Sequence, residues 1–297
     1  MSGVSLKQRD AVPAVSAAEA SREFAFTSAD FETVRDLIYR RAGITLSPVK
    51  RDMVYSRLAR RLRVLGLDSF SDYLTFLKSG QDESEWEAFT NALTTNLTSF
   101  FREAHHFPLL AEHMAQRRGR PLSIWCCASS TGEEPYSIAI TVAETFGTAD
   151  VPVKIIASDL DTNVLEKARA GVYPMERIEK LSPERVRRFF MRGTGAQEGH
   201  VRVRPEIARM VTFEQVNLLK DPLPVKGPFD AVFCRNVMIY FDKPTQADVV
   251  RRLAKVMKPD ALMFVGHSES LFHVADTLKL RGKTVYQLAG AGVSDGA

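Results

Sequence analysis

From about residue 121 to residue 265, short apolar runs alternate with helical stretches, and few folds accommodate that alternation. The runs are Leu122–Cys126 continuing to Ala128, Val153–Ala157, Phe229–Cys234 and Ala261–Val265. Each has strand length and is apolar along its course, as expected of strands covered on both faces. Helical segments lie between them: one after Ser129-Ser-Thr-Gly-Glu-Glu134 with Pro135 in its first turn, one at Asn163–Ala170, and one at Thr245–Met257. Strands alternating with helices build βαβ units around a mostly parallel sheet. The expected fold class is therefore α/β, a doubly wound Rossmann-like sheet over residues 121–290. Leu278–Leu288, with turn residues at Arg281-Gly-Lys283, reads as a closing hairpin.

The preceding region reads differently. Thr27 and Ser28 can cap a helix that carries Phe31, Val34, Leu37 and Ile38 and stops at Gly43. Ser47-Pro48 opens another, because proline suits the first helical position, where the N–H would be unpaired anyway. That helix continues to about Leu65 and ends at Gly66. Two more are expected at Ser69–Lys78 and Glu83–Thr94, the latter with Trp86, Phe89 and Leu93 on one face. No strand pattern occurs here, so residues 23–95 are expected to form a helical bundle and 96–120 a linker and helix. Residues 1–22, rich in Ala, Ser and Val without periodicity, read as a disordered tail. Between Gly171 and Met210 the chain is longer than one crossover helix needs. Ser182-Pro183, the Gly193-Thr-Gly195 turn and the alternating Val201-Arg-Val-Arg204 suggest an inserted antiparallel β-subdomain at 172–210.

Several function classes are excluded at this level. No apolar run approaches the ~18 residues that span a bilayer, and the first residues lack the apolar core of a secretory signal. Three cysteines, two of them adjacent at Cys126 and Cys127, cannot make a disulfide framework. Cys and His at ligand spacing are too few for a structural zinc. A cytoplasmic protein with reduced thiols is expected, without direct membrane insertion and without a metal. The net charge of +4 is weak support for a nucleic-acid partner, and none is expected.

In an open parallel sheet, ligands bind beyond the carboxyl ends of the strands, where the strand order reverses. Three candidates fall there. Ala128-Ser-Ser-Thr-Gly-Glu133 is a small-residue loop in which Gly132 permits conformations other residues avoid. Asp159, at the end of the next strand, is placed to accept from the hydroxyls of a ribose. Arg235-Asn236 follows the later strand. The loop is not G-x-G-x-x-G, and Glu133 and Glu134 would repel a diphosphate at the helix N-terminus. S-adenosylmethionine carries no phosphate, and its sulfonium and ammonium tolerate acids. A methyltransferase is therefore the expected activity. Singly, each acid could equally be a cap or a solvated carboxylate.

The residues carry a resemblance at this point. Asn96-Leu-Thr-Ser-Phe-Phe-Arg102, Ser129-Ser-Thr-Gly-Glu-Glu-Pro-Tyr-Ser137, Ser158-Asp-Leu-Asp161 and Phe229-Asp-Ala-Val-Phe-Cys-Arg-Asn-Val-Met-Ile-Tyr-Phe-Asp242 resemble the chemotaxis receptor methyltransferases, the CheR family. Gly266-His-Ser-Glu-Ser270 and Arg281-Gly-Lys-Thr-Val-Tyr286 also match, and the likeness runs from about residue 27 to 288. It implies methyl transfer from S-adenosylmethionine to glutamates of chemoreceptor cytoplasmic helices. It also implies cofactor-binding roles for Asn96, Thr98, Arg102, Glu133, Asp159, Asn217, Leu218, Arg235 and Asn236. Tyr240 matches a tyrosine near the transferring methyl, and Arg102 and Tyr240 are the catalytic candidates. The 172–210 insertion resembles a subdomain that in some members grips a receptor C-terminal tether peptide.

The chemistry is compatible with this assignment. A glutamate side chain, with an ordinary pKa near 4.3, is already a nucleophile at pH 7, so no general base is needed. The helix from Pro48 to Leu65 has an apolar stripe of Val54, Leu58, Leu62 and Leu65. Its remaining arc carries Arg57, Arg60 and Arg61, within a stretch, Lys50–Arg63, of six cations and one acid. That arc is the expected docking surface for an acidic receptor helix, the alternative being a solvated basic face. Cys126 and Cys127 read as core residues and His105-His106 as a helix surface pair. The competing functions are a non-catalytic receptor-binding adaptor and a methyltransferase acting on another substrate.

Overall fold

A computed structural model describes residues 22–290; apart from Arg22, the expected tail lies outside the described residues. Among the described residues four helices come first: α1 (Ser28–Ala42), α2 (Arg51–Leu65), α3 (Phe70–Ser79) and α4 (Glu83–Leu93), with a 3-10 turn, Pro48–Lys50, leading into α2. Their ends are locally specified. Thr27 and Asp30 form a reciprocal capping box, and Ser69 and Asp82 accept from the backbone N–H of Asp72 and Ser84. Gly43, Gly66 and Gly80 stop α1, α2 and α3 in the left-handed conformation, where glycine alone has no Cβ penalty. The apolar faces meet in one core that includes Ile38, Leu58, Phe70 and Phe89. Phe24 and Phe26, ahead of the first helix, are part of that core, and the Phe26 and Phe70 ring centroids lie 4.4 Å apart.

After α5 (His106–Ala115), the chain runs through β1 (Leu122–Cys126), α6 (Glu133–Phe146), β2 (Val153–Asp159) and α7 (Thr162–Ala170). The insertion follows as β3 (Val172–Pro174), α8 (Pro183–Phe189), β4 (Phe190–Arg192), β5 (His200–Val203) and α9 (Pro205–Ala208). The main sheet resumes with β6 (Val211–Gln215), β7 (Phe229–Cys234), α10 (Lys243–Lys255), β8 (Met257–Val265), β9 (Leu278–Gly282) and β10 (Val285–Leu288). Its seven strands lie in the order β6-β2-β1-β7-β8-β10-β9. β6, β2, β1, β7 and β8 pair in parallel, and the expected hairpin closes the sheet antiparallel.

Both faces of the sheet are covered, as the continuous apolar runs require. Ile124, Cys126, Ile155, Ala157, Ala231 and Phe233 enter one core; Trp125, Ile156, Val232 and Cys234 enter the other. The period of two divides each strand between the layers. β6 has no counterpart in the sequence reading. Val211-Thr-Phe-Glu-Gln215 is an edge strand with only Val211 buried, so it presents no apolar run. The strand order reverses between β1 and β7, and their carboxyl ends, with that of β2, open a crevice.

The insertion is a three-stranded antiparallel sheet in the order β3-β5-β4. Val201–Val203 thus lies in the central strand, and the outer strands are β3 and β4. Val201 and Val203 are buried in the main core. Tyr173 donates its hydroxyl to the Thr131 carbonyl at 2.8 Å, tying the insertion to the small-residue loop. Among the described residues no helix is long and apolar enough to cross a membrane.

Candidate active site

A cavity of about 480 Å³ opens at the carboxyl ends of β1, β2 and β7. The helical domain closes its far side through Ala42, Ile44, Thr45, Leu46 and Lys50, and the segment Leu93–Thr98 runs along it. Polar ties hold the two domains in this relation. Asn217 Nδ2 donates to the Arg41 carbonyl at 2.8 Å, Tyr39 donates to Asp242 at 2.9 Å, and Thr45 N–H donates to the Tyr240 carbonyl at 2.8 Å. Of the residues singled out from sequence, Asn96, Thr98, Arg102, Asp159, Asn217, Leu218, Arg235, Asn236 and Tyr240 line this cavity.

Asp159 stands at the end of β2. Its two oxygens accept from Ser130 N–H at 2.8 Å and Asp161 N–H at 3.1 Å. Burial nevertheless pushes its carboxyl up to about 6, against those two hydrogen bonds. Asp161, which sequence reasoning passed over, is buried and caps α7 through Asn163 N–H. It also accepts from Thr94 Oγ1 at 2.7 Å and Asn96 Nδ2 at 2.8 Å. The side chain of Asn96 therefore pins the interdomain segment to the turn between β2 and α7, and its carbonyl accepts from Ser130 Oγ. An acid just before a helix start was the available signal for Asp161.

The two glutamates that open α6 have separate roles. Glu133 is fully buried, accepts from Thr131 Oγ1 at 2.6 Å and pairs with Arg177 at 3.0 Å; it is not among the cavity-lining residues, whereas Glu134 is. Glu134 pairs with Arg235, whose guanidinium also reaches Glu103 at 3.3 Å and the Arg102 carbonyl. Arg235 lines the cavity, yet its charge is committed to this buried network. Gly132, before α6, has φ +99°, and a Cβ there would stand 2.8 Å from the Tyr173 hydroxyl. Only glycine fits that turn.

Arg102 donates to the Leu97 carbonyl at 2.9 Å, bracing the loop in which it sits. The Tyr240 hydroxyl has one long contact, 3.5 Å to the Thr95 carbonyl. Two further carboxylates, missed from sequence, hold the loop after β7. Glu103 accepts from His267 N–H at 3.0 Å; burial raises its carboxyl, but that hydrogen bond and Arg235 outweigh burial and leave it below the usual glutamate value. Glu269 accepts from Asn236 N–H and Gly266 N–H, both at 2.7 Å. Burial pushes its carboxyl up despite these bonds.

Two family models account for this arrangement. The CheR methyltransferase all-alpha domain matches residues 29–94, and the CheR methyltransferase SAM-binding domain matches residues 96–287. The chain belongs to the CheR methyltransferase family. It is 56% identical over 269 residues to the chemotaxis protein methyltransferase of Salmonella typhimurium, covering 91% of this chain and 93% of that one. The Escherichia coli protein of the same name is also 56% identical over 269 residues, covering 91% and 94%. Chemotaxis protein methyltransferase 2 of Pseudomonas aeruginosa is 52% identical over 272 residues, covering 91% and 96%.

The cavity fits the family's cofactor. Its volume lies in the range of small-molecule sites, Ala128 and Ser130 let a ligand approach the backbone, and Asp159 presents a carboxylate at the strand end. The start of α6, where a dinucleotide would place its pyrophosphate, is occupied by Glu133 and Glu134, each paired to an arginine.

Two other expectations are corrected. The arginine arc of α2 is not a uniform exposed face, because α4 packs beside it. Arg61 makes a bidentate pair with Glu85, whose side chain is only 2% exposed, and Arg57 donates to the Ala92 and Thr94 carbonyls. Arg60 alone of the three is exposed; Arg57 and Arg61 are half-buried. His105-His106 is not a surface pair: His106 is buried, faces the Lys283 carbonyl and Thr284 hydroxyl, and is depressed to about 4, mainly by burial. With Glu103, these histidines form a cluster of three metal-competent side chains among the described residues, but Glu103 is already engaged by Arg235. Cys126 and Cys127 are buried, as expected.

Proposed function

We propose that this enzyme transfers the methyl group of S-adenosylmethionine to glutamate side chains on chemoreceptor cytoplasmic helices, giving glutamyl methyl esters for sensory adaptation. The observation that carries the reading is the composition of the cavity wall. Strand ends form one side and the helical domain the other, so an acceptor meets the cofactor along the seam between domains. The high identity to proteins named for chemotactic methylation supports the receptor as acceptor, and its cytoplasmic domains put the work in the cytoplasm. When bound, S-adenosylmethionine supplies an electrophilic methyl on a sulfonium. The chain's own residues exclude water and align the acceptor, since a glutamate is already ionised at pH 7. Lys50 and Arg102, both on the cavity, put positive charge where the carboxylate enters. The Tyr240 hydroxyl orients it.

The deciding experiment is transfer of labelled methyl from S-adenosylmethionine to a receptor cytoplasmic fragment, followed by mild base. Label released as methanol identifies an ester; base-stable label, or none on the receptor, overturns the reading. Tyr240→Phe should lower turnover about 2- to 10-fold, the effect of one lost hydrogen bond, with S-adenosylhomocysteine affinity nearly unchanged by calorimetry. Unchanged turnover makes Tyr240 a packing residue.

The docking arc divides into two testable kinds of residue. Arg61→Ala should cost on the order of 3 kcal/mol in urea denaturation, because it leaves Glu85 buried without its cation, held only by the Tyr73 hydroxyl. Arg60→Glu should leave stability near wild type and raise the KM for receptor in a salt-dependent way. Equal stability losses would remove the distinction. In the same reading, the insertion binds a receptor tether peptide. The outer strand β4 supports this: a groove beside it is lined by Phe190, Met191 and the cations Arg187, Arg192 and Arg204, which suits strand addition by an acidic peptide. Titration with a receptor C-terminal peptide tests it, and no saturable heat at millimolar peptide leaves the insertion a cover for the sheet edge.

A further inference from the structure

We infer that Glu269 is a positioning residue for methyl transfer: its buried carboxylate holds the backbone of the loop that presents Asn236 and Tyr240 to the cavity. The inference rests on the cavity being the site of transfer. Glu269 is 4% exposed and sits in the turn after β8, on a segment separate from the loop it serves. One oxygen accepts from Asn236 N–H at 2.7 Å and from Gly266 N–H at 2.7 Å. The other accepts from Ile239 N–H at 3.3 Å. Two of the three donors therefore belong to the loop, Asn236 just before its 3-10 turn, Met238–Tyr240, and Ile239 within that turn.

The loop needs such a hold. Asn236 has φ +58°, a left-handed conformation that asparagine tolerates better than other side chains, and the hydrogen bond from its N–H to Glu269 fixes the backbone there. The side chain of Asn236 has one weaker tie, 3.4 Å from Nδ2 to Glu103 Oε1. Gly266 belongs to the same device. A Cβ there would stand 2.5 Å from Asn236 Nδ2 and 2.5 Å from Glu269 Oε2, so the two loops meet closer than any side chain allows. A carboxylate is the only side chain that accepts at both oxygens and donates at neither. Glutamine in its place turns N–H groups toward N–H groups.

The test uses the full chain with Glu269→Gln, and Gly266→Ala as a second variant that keeps the carboxylate but forces the loops apart. Hydrogen–deuterium exchange of the peptide spanning 235–241 should rise about tenfold or more in both, the scale of hydrogen bonds to a charged acceptor. Exchange in β1 and α2 should stay at wild-type levels. Turnover on a receptor fragment should fall by a similar factor, with receptor KM shifting less than about threefold, because a displaced loop misplaces the reacting groups more than it weakens docking. Unchanged exchange at 235–241, or unchanged turnover despite faster exchange, overturns the inference. If the wild-type enzyme does not label the receptor, the substrate reading fails by itself, and the exchange measurement still decides whether Glu269 holds the loop.

Discussion

Replacing Arg235 with methionine should destabilise the protein by about 3–5 kcal/mol, the cost of breaking a buried ion pair from one side. The guanidinium is 1% exposed and faces Glu134 and Glu103, which are themselves only 9% and 13% exposed. It also donates to the Arg102 carbonyl. Methionine fills the volume but leaves two carboxylates without their cation and one carbonyl without its donor. At slopes of about 2–3 kcal/mol per molar, the urea midpoint should drop by ~1–2.5 M. Combining Arg235→Met with Glu134→Gln should recover part of the loss, because one unpaired charge is gone; contacting residues do not add. A single variant with the wild-type midpoint would show that the network contributes nothing.

Removing Asp159 has its main effect on the ligand. Asp159→Ala should weaken S-adenosylhomocysteine binding about 10- to 100-fold, through loss of hydrogen bonds to a charged acceptor, with little change in the fold. The pH dependence follows from burial. In the ligand-free protein the carboxyl titrates at about 6, raised chiefly by desolvation and held back by the Asp161 and Ser130 N–H groups. In the ribose-binding role expected for Asp159, the hydroxyls would donate to the ionised form. Affinity should therefore be low at pH 5, rise through pH 6 and level off above pH 7, spanning about tenfold if only the carboxylate binds. For stability the sign is opposite. A folded pKa above the unfolded value favours the folded state at low pH, and that contribution is lost as pH rises through 6. Calorimetry from pH 5 to 8 on wild type and Asp159→Asn checks the ligand effect. A flat profile in wild type, or the same slope in the variant, assigns the titration to another group.

Much of the architecture was legible in local pattern. Thr27, Ser69 and Asp82 stand where a helix needs an oxygen for its first N–H groups, and Gly43, Gly66 and Gly80 stand where it needs a left-handed stop. The four parallel strands with continuous apolar runs were readable because burial on both faces leaves no polar alternation. β6 escaped because its edge position leaves Thr212, Glu214 and Gln215 in contact with water. A helical wheel separates the apolar stripe of α2 from its cations, but it cannot say which cations meet another helix. Arg61 finds Glu85 and Arg57 finds the end of α4 only when those helices pack together.

Sequence alone determined most of the helices and strands and the apolar face of each, and it marked acids at the ends of the strands, Glu134 and Asp159 among them, where the structure opens its cavity. Those properties depend on neighbours within a turn or a strand, so spacing records them. Tertiary structure decided which of Glu133 and Glu134 borders the cavity, that Arg235 neutralises buried carboxylates from two segments, that His106 is interior, and that Glu269 reaches back to the loop after β7. Each choice depends on which distant group satisfies a buried charge or N–H. The cost of leaving such a group unpaired is set by packing, and packing is a property of the assembled layers rather than of any one segment.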